Sequence, residues 1–352
     1  MEFMPALLAA GAVALTVLPL LRHEAWWIRA LDFPRVQIAL LTGAVFVAYA
    51  WAAGLENWWD YALLAALLAC AVYQGARIVP YTPLHHKQAE DARDPEPASC
   101  VRLLVANVLT PNRNADALLR IIREKDPDLV LCVETDRWWQ ERLQALEHRY
   151  PHTVKHPSDN LYGMHLYSKL PLLETRLEFL VESGIPSIHG KVELRSGHRV
   201  RFHCVHPTPP SPTENATSKE RDAELVLVGK DVAATRGSAV VFGDLNDVAW
   251  SGTTRLFQKI SGLLDPRIGR GMFSTFHAKY AFLRWPLDHI FFSSDFTVVA
   301  LERLGYFGSD HFPIYAALCH TPAAEAVHEE PQADAEDHEE AERKVEQALG
   351  DE

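Results

Sequence analysis

The stretch Gly243-Asp244-Leu245-Asn246-Asp247 decides how this chain reads, together with Ser309-Asp310-His311-Phe312-Pro313 further on. Ahead of the first lies Ser238-Ala239-Val240-Val241-Phe242, a short apolar, β-rich run that reads as a buried strand. That strand delivers Asp244 and Asn246, two residues apart, to the point where the chain turns. In a pleated strand, side chains two apart point the same way, so both can face one small volume. A hard oxygen ligand beside a hydrogen-bonding amide suits a metal-bound water or a phosphate. Alone, the stretch reads equally well as a strand ending in an Asx turn. Its company gives it weight.

Working outward, residues 99–320 alternate between strand and helix patterns. Strands are predicted over 101–106, 128–133, 162–168, 174–180, 191–194 and 200–205, then at 238–242, 287–292, 296–301 and 314–318. Helices are predicted over 115–123, 137–148, 218–234 and 253–260. Strands outnumber helices in mixed order, which suits two packed sheets with helices outside better than one doubly wound sheet. Polar residues recur where the apolar strands stop: Asn107, Glu134, His206, then Asp244 and Asn246, Asp288, and Asp310 with His311. Each alone has a dull explanation as a turn residue or helix-terminal acid. Their repetition at strand ends points to a site, because function concentrates on loops carried by a rigid sheet.

The flanks are different material. Residues 5–21, 36–55 and 61–76 carry no charge and are about 16–20 residues each, near the ~20 that cross a hydrocarbon layer. Trp26, Trp27, Trp58 and Trp59 fall between these runs, where an interfacial aromatic belt would place them. The leader Met1-Glu2-Phe3-Met4 is acidic, against a signal peptide. Residues 1–80 therefore read as a membrane anchor of about three helices, the third the weakest. Residues 81–98 are proline-rich and polar, a linker composition. Residues 321–352 hold 12 acidic and 2 basic side chains and no aromatic ring, and read as a disordered tail or frayed helix.

That tail accounts for most of the formal net charge of −12. Residues 99–320 hold 26 basic and 25 acidic side chains, so no basic field announces nucleic acid. The five cysteines are scattered without metal-like spacing and read as buried free thiols, which suits a reducing compartment. Basic residues flank the apolar runs unevenly. Arg22, Arg29 and Arg35 follow the first run and Arg77, Lys87 and Arg93 the third, with none between 54 and 60. Basic loops stay inside, so residues 99–320 are expected on the cytoplasmic side.

In motif order (Asn, Glu, His, Gly-Asp-x-Asn, Asp, Ser-Asp-His), residues 99–320 resemble the endonuclease/exonuclease/phosphatase superfamily, whose fold is that of deoxyribonuclease I. The resemblance implies an α/β four-layer sandwich of two mixed sheets between helices. The apolar N-terminus is similar to a bacterial, membrane-anchored subgroup, implying a multi-pass protein of the inner membrane. By motif match, Glu134 would be the principal ligand of Mg²⁺ (Mn²⁺ as the alternative), with Asn107 and His311 beside it. Asp244 would position or deprotonate the attacking water, and Asn246 would orient it or the phosphate. His311 would be held by Asp310, and His206 would pair with Asp288 near the leaving oxygen. The implied activity is phosphoester or phosphodiester hydrolysis at a lipid or nucleic acid substrate. A non-catalytic binding module on the same fold is the reading from a different class.

Overall fold

The computed structural model describes residues 3–52, 57–235 and 237–350. Eleven strands among them form two sheets. Strands β1 (Cys100–Asn107), β2 (Leu129–Val133), β3 (His152–His156), β4 (Met164–Ser168), β10 (Phe296–Arg303) and β11 (Ile314–His320) make one, in the order β10-β11-β1-β2-β4-β3. Strands β5 (Leu172–Glu178), β6 (Ser187–Glu193), β7 (Arg199–Val205), β8 (Ala239–Asp244) and β9 (Asp288–Phe292) make the other, in sequence order. Only β1/β2 and β7/β8 pair in parallel, so both sheets are mixed.

Alternation along the strands builds the layers. Leu103 and Val105 of β1 join Phe202, Val240, Phe242 and Ile290 in the core between the sheets. Their neighbours Leu104 and Ala106 face the opposite way, onto α5 (Ala115–Lys125) and α6 (Arg137–Leu143). On the far side, Val205, Val241 and Phe291 meet α7 (Lys219–Ala234) and α8 (Gly252–Ser261). Helix, sheet, sheet, helix is the sandwich expected. The strand absent from the sequence reading is β3, an edge strand of half-buried His-Thr-Val-Lys-His without apolar alternation.

Before the sandwich come α1 (Phe3–Val17), the single turn α2 (Trp26–Arg29), α3 (Arg35–Ala52) and α4 (Trp58–Ile78). Two stretches, Arg35–Ala52 and Trp58–Tyr81, are long and apolar enough to cross a membrane, by length and composition. The third apolar run thus meets that measure, and the short one is the first: α1 has 15 residues, and the tight turn containing Pro19 follows it. Residues 53–55 of the second run, and Met1 and Glu2 of the leader, lie outside the described residues. Ala9, Ala12, Tyr49 and Leu67 form a small core among the three helices. Arg35 ties their base together, donating to Asp32 (2.5 Å) and to Gln74 (3.2 Å), which in turn donates to Thr16 (3.1 Å).

Three expectations change. Residues 81–98 are strapped to the sandwich: Ala89 is fully buried, Asp91 bridges Val298, and Gln88 accepts from the Asp265 amide. Of the two readings of the acidic tail, disorder gives way to helix: α9 (Ala335–Leu349) is opened by a capping box between Asp334 and Asp337. Its narrow apolar stripe buries Ala341 against Val226, Leu256 and Ile260. Lys344 reaches Asp222, and Lys259 reaches Asp337. Finally, Cys100 and Cys319 sit opposite each other on β1 and β11 and are disulfide-bonded, while Cys70, Cys132 and Cys204 are free and buried. Strand pairing makes neighbours of two thiols 219 residues apart, which spacing alone cannot reveal.

Candidate active site

The site sits where strand ends of both sheets meet. Asn107 ends β1 and Glu134 follows β2; His206 follows β7, Asp244 ends β8 and Asp288 begins β9. Gly243 lets the end of β8 lie close against β7. Its φ is +153°, and a Cβ there would lie 1.9 Å from the Val205 carbonyl oxygen on the paired β7. Glu134 and Asn246, neither a glycine, also take positive φ of 59° and 49°. Such conformations cluster at functional sites, held by their surroundings.

Asn107 joins the two sheets chemically. Its Nδ2 donates to Glu134 Oε1 (2.7 Å) and to Asp244 Oδ2 (3.0 Å), while its Oδ1 accepts from the Leu109 amide. Ser309 completes the join from the other motif, donating to the Asn107 carbonyl (2.8 Å) and accepting from the His311 amide (3.0 Å). Asp244 and Asp288 face each other across β8 and β9, an arrangement that repels unless a cation intervenes. His311 intervenes: its Nδ1 lies 2.8 Å from Asp288 Oδ2 and 3.5 Å from Asp244 Oδ2.

This pairing replaces the one expected. His311 is held by Asp288, not by Asp310, whose carboxylate accepts from Ser309 at 3.3 Å. His206 is not paired with Asp288. It is buried with no partner at Nδ1, its ring packed against Tyr162 at 5.1 Å. The Asn246 amide bonds Asp244 Oδ1 (2.9 Å), and its side chain donates to the Pro207 carbonyl (2.9 Å).

Burial dominates the electrostatics. It pushes the Glu134 carboxyl up to about 7, against the hydrogen bond from Asn107. Burial holds His206 down at about 4. It would lower His311 too, but the carboxylates of Asp288 and Asp244 outweigh it and carry His311 up to about 10. Asp244 is raised by burial, with His311 opposing.

A divalent cation fits this donor set. Glu134 has a half-buried carboxylate with a single side-chain hydrogen-bond donor, and Asp288 Oδ1 is buried without a partner. Carboxylates of this kind, with waters and phosphate oxygens, are what Mg²⁺ takes. Asn107 stands beside Glu134 as expected, its Nδ2 on Glu134 and Asp244 and its Oδ1 on the Leu109 amide. His311 Nδ1 is likewise engaged, leaving Nε2 as the nitrogen free to meet a ligand.

Residues outside the sequence reading support the loops. Arg221, fully buried, donates to the Asn246 carbonyl (2.9 Å) and to Asp222. Losing such a buried, bonded charge costs about 3–5 kcal/mol. His289, set apart from the site by sequence, is buried between Arg267 (2.6 Å) and the Asp247 carbonyl (2.9 Å). Trp26, read as an interfacial residue, lines the cavity over the site.

Acids, an amide and histidines converging from the ends of two packed mixed sheets define a class, and the sequence carries its signature. The chain belongs to the Endonuclease/Exonuclease/phosphatase family, whose model matches residues 104–311. Three solved structures share the fold. Human Nocturnin's catalytic domain, with bound sulfate, is 16% identical and covers 66% of this chain and 96% of that one, at a TM-score of 0.53. TDP2 of D. rerio, complexed with single-strand DNA product, is 17% identical and covers 62% and 99%, at 0.52. An endonuclease/exonuclease/phosphatase from Beutenbergia cavernae is 19% identical and covers 63% and 72%, at 0.52. No curated protein matches the chain.

Proposed function

We propose that the protein is a membrane-anchored, divalent-metal-dependent phosphoester hydrolase acting on phosphodiesters. The observation that carries this is Asn107 spanning Glu134 and Asp244, beside His311 clasped between Asp244 and Asp288. Glu134 holds the cation, Mg²⁺ or Mn²⁺, which when bound neutralises charge developing on the phosphoryl oxygens. Asp244 orients the attacking water and accepts its proton, with Asn246 fixing the loop around it. His311, its Nδ1–H given to Asp288, donates from Nε2 to a phosphoryl oxygen. His206 serves the leaving oxygen.

In the same reading, α3 and α4 cross the bilayer with α1 packed on them. The basic residues around these helices favour the cytoplasmic side for the sandwich. The disulfide pulls the other way, since such bonds persist in oxidising compartments. Charge therefore carries the sidedness alone.

The test is hydrolysis of bis(p-nitrophenyl) phosphate by the full chain in detergent, with Mg²⁺ and then with a chelator. Activity is expected only with the metal, and Glu134→Ala should lose at least ~10²-fold because charge stabilisation, not packing, is removed. Full activity in a folded Glu134→Ala protein would overturn the assignment.

A further inference from the structure

A cavity of about 450 Å³ lies over the site. One wall is catalytic: Glu134, His206, Asn246 and His311. The other is apolar and comes partly from the segment between α1 and α3, through Trp26, Ala30 and Phe33, facing Phe276 and Trp285. This wall is built, not draped. The Trp26 amide donates to the Ala216 carbonyl (3.0 Å), the Ser218 amide to the Glu24 carbonyl (2.9 Å), and Trp250 Nε1 to the Asp32 carbonyl (2.8 Å). Phe33 meets Trp285 edge to face at 5.6 Å between ring centres.

Two further observations say what the cavity takes. Among the described residues no Lys or Arg lines it; its charged lining is Glu134, Glu214 and Asp310, with His311 supplying the positive charge. A nucleic acid strand needs a cation for each phosphate it brings, so this cavity suits one phosphate and an apolar remainder. Trp285 also lines a second groove, shared with Val36, Gln37 and Leu40 of α3 and with Phe282, and edged by Arg270, Arg284 and Arg303. Phe33, Val36, Gln37 and Leu40 recur at helical spacing, forming one strip from the cavity down α3. Leu40 and Phe282 are 71% and 88% exposed, and the Phe282 carbonyl is tied to Gln37. A strip of apolar side chains, with arginines at the edge of its second groove, thus runs from the catalytic histidines to a helix apolar enough for a bilayer.

We propose that the substrate is an amphiphilic phosphodiester whose single phosphate meets Glu134 and His311 while its hydrocarbon lies along the Phe33–Trp285 wall toward α3. This rests on the hydrolase and membrane readings above. Water adds to phosphorus, the bond from phosphorus to the leaving oxygen breaks, and that oxygen takes one of water's protons. The products are a phosphomonoester and an alcohol.

The full chain is reconstituted in phosphatidylcholine nanodiscs with Mg²⁺. Turnover is compared for hexadecyl and ethyl p-nitrophenyl phosphate and for a single-stranded oligonucleotide, and binding for hexadecyl and ethyl phosphonate. Burial of even a few methylenes predicts a hexadecyl preference of at least about tenfold in kcat/KM and in affinity. Phe33→Ala and Trp285→Ala should each shrink that preference at least about threefold, since each removes apolar wall. Equal turnover of the two esters, or turnover of the oligonucleotide alone, overturns the proposal and keeps the hydrolase reading. Tail-dependent phosphonate binding without turnover of any ester keeps the amphiphile site and removes the hydrolase reading. Neither turnover nor tail-dependent binding overturns both.

Discussion

The imidazole of His311 is held by Asp288, 23 residues back in the chain, at 2.8 Å between Nδ1 and Oδ2. Asp310, its immediate neighbour in sequence, makes no hydrogen bond to that ring. Asp288→Asn should therefore lower kcat at least ~10²-fold by misorienting the imidazole, while Asp310→Asn costs far less. Steady-state kinetics of the two variants checks this. Equal losses would return the orienting role to Asp310.

Removing the tail should destabilise the protein. Helix α9 covers Val226, Leu256 and Ile260 with Ala341 and pairs Lys344 with the fully buried Asp222. Asp222 is driven up by burial, then pulled well below the usual carboxylate range by Lys344 and Arg221. Truncation after His320 should lower Tm by at least about 2 °C, the shift that ~1 kcal/mol produces in a unit the size of residues 99–320. Ala341→Asp should do the same without shortening the chain. Calorimetry showing no change in either would mean that the helix does not dock in solution.

Glu224 gives the fold a pH dependence. It is buried, its Oε1 has no partner, and burial, with help from Glu182, lifts its carboxyl from 4.5 to about 8. Below pH ~4.5 the folded and unfolded chains both keep this proton, and its contribution is full. As pH rises toward 8 the unfolded chain sheds the proton first, so stability falls across that window. Glu224→Gln cannot titrate, and its Tm advantage over the unaltered protein should grow from pH 5 to pH 8. A constant difference would show that Glu224 is not buried in protonated form.

Sidedness is open to a protease. In the membrane-anchored reading, the segment 22–35 and the sandwich, which touch through Trp26 and Ala216, share one side, the side their basic residues favour. In spheroplasts the sandwich should resist protease until lysis. Digestion before lysis would put it outside, with the Cys100–Cys319 bond in an oxidising compartment.

Much of the fold was legible because its strands carry their own signal. Val240 to Phe242 and Leu103 to Val105 are apolar runs that end in polar residues, and Asn107, Glu134, Asp244 and Asp288 all lie at or just beyond strand ends. His152–His156 was silent because an edge strand half-buried on every residue has no face to alternate. The ordered tail was missed because composition weighs total apolar content. Its docking needs only one buried alanine, a partly buried valine and lysine–aspartate pairs to the sandwich.

The sequence by itself determined the family, the two-sheet class, the apolar N-terminal runs and the eight polar residues at or near strand ends. Each follows from local periodicity or from motif order, properties that survive without a partner. Only the tertiary structure decided who meets whom. It joined His311 to Asp288, placed the Asn107 nitrogen between two acids, paired Cys100 with Cys319 and set Trp26 over the site. Such pairings depend on how two sheets pack and on which loops their ends bring together. A residue's sequence neighbours do not encode that geometry, because side chains far apart along the chain become neighbours only when burial closes the core.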